Sequence, residues 1–239
     1  VPFGEDGGMQ AILEFLEIPY SHSGILASAL AMNKARTREV YKAAGIPVAD
    51  GESVSRFDAA REHVMLPPYV VKPVANGSSV GVSIVQDGDA PPSALAADDW
   101  KFGDTVLVEK YIPGRELTCA VMGERALGVI EITSDLEFYD YEAKYTPGGS
   151  RHILPAPIPP DVYKQVQEYA LAAHKALGCR GVTRSDFRYD DATGTLVCLE
   201  TNTQPGMTST SLVPEMAAHE GIPFPELVSW MINDASLLR

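Results

Sequence analysis

Basic residues are scarce in this chain: 19 Lys and Arg stand against 32 Asp and Glu, a formal net charge of −13 over 239 residues. That balance argues against a nucleic-acid partner, because a phosphate backbone demands an excess of cations. An anionic small substrate would instead need local cations or bound metal. Cysteine is nearly absent, and Cys119, Cys179 and Cys198 show no CxxC spacing, so buried free thiols in a reducing interior are expected. Also missing are an uncharged apolar run of the roughly 18 residues that a membrane span needs and a basic region followed by an apolar stretch at the N-terminus. No membrane partner is expected, and the protein reads as cytoplasmic. The five histidines have no metal spacing, and no Ser-His-Asp or Cys-His order assigns a covalent nucleophile. There is no internal repeat and no low-complexity tract. No initiator Met opens the chain, whose first residues, Val1-Pro-Phe-Gly-Glu-Asp-Gly7, read like the middle of a loop. Cropping or processing upstream is therefore expected.

What is present supports real cores, since 45% of the residues are hydrophobic. Residues 9 to 17 and 34 to 44 have helical patterning, the second ended by Gly45 with Pro47 just beyond. Strands are expected at 69–73, 80–85, 105–110, 116–122 and 126–133, forming a mainly antiparallel sheet. From 134 to 160 the periodicity fails, and a loop this long in a compact domain suggests a lid or binding loop. A long helix over 161–177, strands at 182–189 and 196–202 around the turn Asp190-Asp-Ala-Thr-Gly194, and helices near 212–220 and 224–236 complete an α+β architecture.

The chemistry concentrates in the last two strands. Residues two apart on a strand share a face, so Arg184 pairs with Asp186, and Glu200 with Asn202. If the turn makes a hairpin with Asp186 opposite Glu200, then Arg184 lies opposite Asn202, and all four converge. Two carboxylates and an amide oxygen suit Mg²⁺, with two ions accommodated if Glu200 bridges them. The arginine is then free to hold substrate charge. The alternative is a surface hairpin whose Arg and Asp simply neutralise one another. Beyond it, Thr203-Gln-Pro-Gly-Met-Thr-Ser-Thr-Ser-Leu212 enters a helix, where free backbone N–H groups bind carboxylate or oxyanion.

Three further segments are read with two meanings each. Asn76-Gly-Ser-Ser-Val-Gly81 is either a glycine-rich hairpin laid over ATP phosphates, with Lys72 as the point charge facing them, or a plain tight turn. It is not a Walker A loop, which joins strand to helix and ends in Gly-Lys-Ser/Thr. Glu109 and Glu116 either hold the ribose and adenine of a nucleotide or are solvated strand ends. In Tyr139-Asp-Tyr-Glu-Ala-Lys-Tyr145, Lys144 and its phenols either reach phosphate and substrate on lid closure or pack as a basic residue amid aromatics.

Gly4-Glu-Asp-Gly7, Ala27-Ser-Ala-Leu-Ala-Met-Asn-Lys34, Val71-Lys-Pro73, Gly77-Ser-Ser-Val-Gly81, Tyr141-Glu-Ala-Lys-Tyr145 and Glu200-Thr-Asn-Thr-Gln-Pro-Gly-Met-Thr208 follow one another across nearly the whole chain. Together they resemble the D-alanine–D-alanine ligases of the ATP-grasp superfamily. The resemblance implies two α+β subdomains with the nucleotide held between antiparallel sheets: 1–33 ending an N-terminal domain, 34–112 the central subdomain, and 113–239 the C-terminal one with lid loop 134–160. It implies ATP-dependent ligation of two D-alanines through an acyl phosphate for peptidoglycan precursor synthesis, with ATP, two Mg²⁺ ions (or Mn²⁺ in their place), and a homodimeric assembly. Lys34 and Lys72 would contact ATP, Ser78 and Ser79 cap the phosphates, Glu109 and Glu116 hold the nucleotide, and backbone at Lys110 and Ile112 meet adenine. Asp186, Glu200 and Asn202 would bind metal, and Lys144 the transferred phosphoryl group. Arg184 and the Gly206 amide would hold the oxyanion, Ser211 and Leu212 the second D-alanine's carboxylate, and Tyr145 with Ser78 would orient the attacking amine. The sequence departs from the family where Asn76 replaces a glutamate of many relatives, and where the N-terminal domain with its own substrate-binding glutamate would precede residue 1. Two alternatives stand beside this: a ligase for D-lactate or D-serine, against which Tyr145 argues, and a nucleotide-binding fragment inactive without the upstream domain.

Overall fold

A computed structural model describes residues 3–77, 80–133, 151–208 and 210–238. Its strands, which the hydrophobic pattern alone grouped as one mainly antiparallel sheet, divide between two, as the resemblance implies. β1 (Gly51–Ser55), β2 (Tyr69–Pro73), β3 (Ser83–Val85) and β4 (Thr105–Lys110) form a four-stranded antiparallel sheet in the order β1-β4-β2-β3. β5 (Arg115–Met122), β6 (Arg125–Thr133), β7 (Arg151–Ile153), β8 (Val182–Asp190) and β9 (Thr195–Asn202) form a five-stranded antiparallel sheet in the order β7-β6-β5-β8-β9. β7 lies inside the expected lid loop, because Arg151–Ile153 find backbone partners along Glu131–Thr133. Residues 134–150 of that loop lie outside the described residues. β1 escapes the hydrophobic pattern as well: Gly-Glu-Ser-Val-Ser has one apolar side chain and owes its extended form to pairing with β4.

Helices α1 (Gly8–Phe15), α2 (Ile25–Met32), α3 (Lys34–Ala43), α4 (Arg56–Arg61), α5 (Pro160–Ala176), α6 (Leu212–His219) and α7 (Phe224–Asp234) surround the sheets. α2 and α4 lack clear sequence signals: α2 is apolar nearly all round, so no face announces itself. α3 is capped by Asn33, whose side chain accepts from the Arg36 N–H at 3.1 Å, and Ile46 N–H returns to the Tyr41 carbonyl just after Gly45.

One face of the five-stranded sheet packs on α5. Leu117, Cys119, Val129, Phe187 and Tyr189 interlock there with Val162, Val166, Ala170 and Ala173, all buried. α3 joins the same core through Tyr41, whose hydroxyl meets Thr201 Oγ1 at 2.6 Å. The opposite face is divided. Over β5 and β6 it is covered by α6 and α7 through Val213, Met216 and Leu227, whereas β8 and β9 present polar side chains there. Strict alternation along β8 achieves this, with Thr183, Ser185, Phe187 and Tyr189 buried and Arg184, Asp186 and Arg188 on the other side.

All three cysteines are buried and unbridged. Burial pushes the Cys119 thiol up to about 12 and the Cys179 thiol to about 11, so both are inert at neutral pH. His174 on α5 is buried against Thr183, with Nδ1 and Oγ1 2.8 Å apart. Burial first, then repulsion from Lys175, holds its pKa down at about 4, against an ordinary 6.5. The unfolded chain therefore takes up this proton below about pH 6.5 while the folded chain does not until about 4. The contribution to stability is complete above 6.5 and is lost as pH falls through that window, on the order of 3 kcal/mol in total. Denaturation midpoints measured from pH 7 to 4 are expected to fall accordingly, and a His174→Gln variant should flatten that part of the slope.

Candidate functional site

A cleft runs between the two sheets. Its four-stranded wall carries Val70, Lys72 and Glu109, and its five-stranded wall Glu116, Asp186, Arg188, Leu199 and Glu200. Parity selects these residues. On β2, Tyr69 and Val71 face the buried core, which turns Val70 and Lys72 toward the cleft. The chain crossing from one sheet to the other, Lys110, Tyr111 and Ile112, closes one end. Lys34 enters from the first turn of α3, and Asn76, Gly77 and Val80 border the glycine-rich loop.

The β8–β9 register meets the condition for convergence: Arg184 opposes Asn202, and Asp186 opposes Glu200. An irregularity follows immediately. Phe187 pairs with Cys198, leaving Leu199 as an extra residue on β9. The bulge puts consecutive residues, Leu199 and Glu200, against the same cleft.

The charges in the hairpin are paired as in the alternative reading: Arg184 is engaged by Asp186, Nε donating to Oδ1 and Nη2 to Oδ2, both at 2.9 Å. Opposite charges two residues apart on a partly buried strand face lower their desolvation cost by pairing, and the guanidinium fork matches the carboxylate. Asp186 also accepts from Thr118 Oγ1 at 2.6 Å and from Asn202 Nδ2 at 3.0 Å, so its orientation is fixed from three sides. That last bond turns the Asn202 amide oxygen to the opposite side of its side chain. Glu200 Oε2 lies 2.9 Å from Lys34 Nζ, which also donates to the Asn76 carbonyl at 2.7 Å. Lys34 thus ties the glycine-rich loop to the carboxylate hairpin.

On the opposite wall Glu109 is buried between two cations, with Oε1 against Arg38 and Oε2 against Lys72. A direct nucleotide contact was expected of this side chain, yet both its oxygens are engaged by protein. The crossing segment has its polarity partly set. Lys110 N–H donates to the Asp50 carbonyl at 2.8 Å, and the Ile112 carbonyl accepts from Arg188 Nε at 3.0 Å. Neither of these bonds uses the Lys110 carbonyl or the Ile112 N–H, the two groups that a planar base would meet. Arg188 also stands opposite Glu116 in the β5–β8 register and 5.8 Å from the Tyr111 ring centre.

Gly206, Ser211 and Leu212 form a second cluster and do not line the cleft. Ser211 precedes α6, and its Oγ accepts from the Thr208 N–H at 3.0 Å. A Cβ on Gly206 would lie 2.8 Å from that oxygen, so the loop folds closely over the helix start. A smaller cavity beside the cleft joins Asn202 to Lys34, Glu200 and Glu5. Ser78, Ser79, Lys144 and Tyr145 lie outside the described residues. Arg38, Arg188, Leu199 and Glu5 were not anticipated. Arg188 was accessible by parity, two residues beyond Asp186; Leu199 depends on the bulge, and Arg38 on a contact 71 residues away.

Among the described residues no group of three or more His, Cys, Asp or Glu is arranged to hold a metal ion. Two carboxylates and an amide nevertheless suit Mg²⁺, which takes one or two carboxylates and completes its octahedron with phosphate oxygens and water. The donor set therefore fits a cation that arrives with a nucleotide.

Residues 40–233 match the family model described as D-ala D-ala ligase C-terminus. The D-alanine–D-alanine ligase of Methylobacterium radiotolerans is 63% identical over 243 residues, spanning 100% of this chain and 79% of the relative. That of Xanthobacter autotrophicus is 63% identical over 240 residues, spanning 99% and 78%. The crystal structure of the Bacillus anthracis D-alanine–D-alanine ligase complexed with ATP aligns with a TM-score of 0.77 and 34% identity, over 97% of this chain and 75% of that one.

Proposed function

Because the chain belongs to the D-alanine–D-alanine ligase family, we propose that its cleft holds ATP with the adenine at Lys110–Ile112 and the triphosphate running toward Asp186 and Glu200. The activity is ADP-forming: ATP drives the joining of two D-alanines into D-alanyl-D-alanine for peptidoglycan synthesis. The observation that carries the site assignment is the facing pair Asp186 and Glu200, set in one cleft with Lys34 and Lys72.

In this reading the Lys110 carbonyl and Ile112 N–H read the base, Glu116 takes the ribose hydroxyls, and Lys34 and Lys72 neutralise phosphate oxygens. Asp186, Glu200 and Asn202 would hold Mg²⁺, which when bound supplies charge neutralisation at the transferring phosphoryl group. Lys34 must then exchange part of its pairing with Glu200 for phosphate. The first D-alanine's carboxylate oxygen attacks the γ-phosphorus, and the bond to the β-bridging oxygen breaks, giving acyl phosphate and ADP. The second D-alanine's amine attacks the acyl carbon, and inorganic phosphate leaves as the tetrahedral centre collapses. Arg184 and the Gly206 N–H hold the oxyanion of that centre, while Ser211 and the Leu212 N–H hold the incoming carboxylate at the start of α6. Ser78 and Ser79 as phosphate caps, Lys144 on the transferred phosphoryl group, and Tyr145 as orienter of the amine rest on resemblance, as do the homodimer and the subdomain boundaries after 33 and 112; the proposed cytoplasmic location rests on the reducing interior that three unbridged cysteines suggest. Among the described residues no helix is long and apolar enough to cross a membrane.

The test is phosphate release by the purified protein. With ATP, Mg²⁺ and D-alanine alone, release is expected, to be abolished by EDTA and restored by excess Mg²⁺ or Mn²⁺. Release only after D-lactate or D-serine is added would overturn D-alanine as the second substrate.

A further inference from the structure

Lys72 does not face the cleft alone. Behind it Glu109 receives Lys72 on one carboxylate oxygen and Arg38 on the other, and Arg38 Nη2 donates to the Gly51 carbonyl at 3.2 Å. Arg38, Glu109 and Lys72 are 4%, 6% and 8% exposed, so the three charges act on one another with little screening from water. Gly51 opposes Glu109 across β1 and β4, and a Cβ there would lie 2.3 Å from the Val108 carbonyl oxygen and 2.9 Å from Glu109 Cγ. The backbone that accepts from Arg38 is therefore pressed against the stem of the Glu109 side chain.

The charge count is uneven. Asp186 is matched by Arg184, and Glu200 by Lys34. Glu109 has two cations, leaving this triad with a net charge of +1 on the wall of an anion's site. With Lys72 and Glu109 as an isolated pair, the carboxylate would largely cancel the ammonium's field at the phosphates. Engaging the second oxygen with a guanidinium restores that field and fixes the carboxylate that aims Lys72.

We infer that Arg38, which does not itself line the cleft, is a positioning residue for nucleotide binding: through Glu109 it maintains the charge and placement of Lys72 toward the triphosphate. This rests on the proposed placement of Lys72 against the phosphates. Its mark is selectivity for the charged part of the ligand, since a residue needed only for packing would affect adenosine and ATP alike.

Calorimetric affinities for ATP and for adenosine, measured on the full chain and on Arg38→Gln, Arg38→Lys and Lys72→Met, separate the cases. Arg38→Gln is expected to weaken ATP about tenfold or more and leave adenosine within about twofold, while Arg38→Lys, which keeps the charge, holds ATP within about threefold. Equal losses for ATP and adenosine, or no loss of ATP, would overturn the inference. If Arg38→Gln does not fold, Arg38→Lys decides: a fall in ATP affinity beyond about tenfold would show that charge is not what Arg38 supplies. Lys72→Met examines the underlying placement by itself, because unchanged ATP affinity in that variant would remove Lys72 from the phosphates whatever Arg38 does.

Discussion

Glu200→Gln is expected to lower turnover by about a thousandfold or more while leaving the fold intact. The substitution keeps shape and removes one charge. Its side chain is 27% exposed and belongs to no hydrophobic cluster, and its partner Lys34 keeps its bond to the Asn76 carbonyl. A large loss of stability is not expected from a pair of that exposure. The catalytic loss is large because Glu200 supplies one of the two carboxylates that would hold Mg²⁺ against the γ-phosphate, and an amide holds a hard cation far less well. Steady-state rates beside a thermal melt check this. Activity within a few-fold of the parent, in a protein that melts normally, would end the metal assignment.

Arg184→Met should lower dipeptide formation by about a hundredfold to a thousandfold, with little change in the KM for ATP. Two roles compete for this side chain. In the structure it clamps Asp186; in the proposed reaction it also meets the oxyanion of the second step. Asp186 retains Thr118 and Asn202 as donors when the guanidinium is removed, so its orientation does not depend on Arg184 alone. The ratio of dipeptide to ADP separates the roles. If Arg184 stabilises the tetrahedral centre, acyl phosphate still forms but is lost to water, and that ratio falls well below one. If Arg184 only neutralises Asp186, both products decline together.

The cleft was legible in the sequence to the extent that it obeys strand parity. Arg184 shares a face with Asp186, and Glu200 with Asn202, by parity, but the turn alone, with Asp190 opposite Thr195, would set Asp186 against Leu199; the extra residue on β9 brings Glu200 opposite Asp186. Lys72 follows because Tyr69 and Val71 alternate with it. Parity fails where a strand is irregular: the extra Leu199 places an apolar side chain in the cleft beside Glu200, and no local signal marks the bulge. It is silent about partners distant in sequence, which is why Glu109 was expected to touch nucleotide, whereas Arg38 holds it from 71 residues away. The pairing of Arg184 with Asp186, two residues apart on one face, was open to parity and stood as the alternative reading of the hairpin. β1 and α2 were missed for related reasons, one stabilised by a neighbouring strand despite polar composition, the other lacking an amphipathic face.

The most direct test is a crystal structure with ADP and Mn²⁺, read by manganese anomalous scattering. A peak is expected within roughly 2.1 Å of carboxylate oxygens of both Asp186 and Glu200 and in contact with nucleotide phosphate. Manganese bound to the phosphates but away from both carboxylates would contradict the assignment of the β8–β9 hairpin as the metal-binding centre.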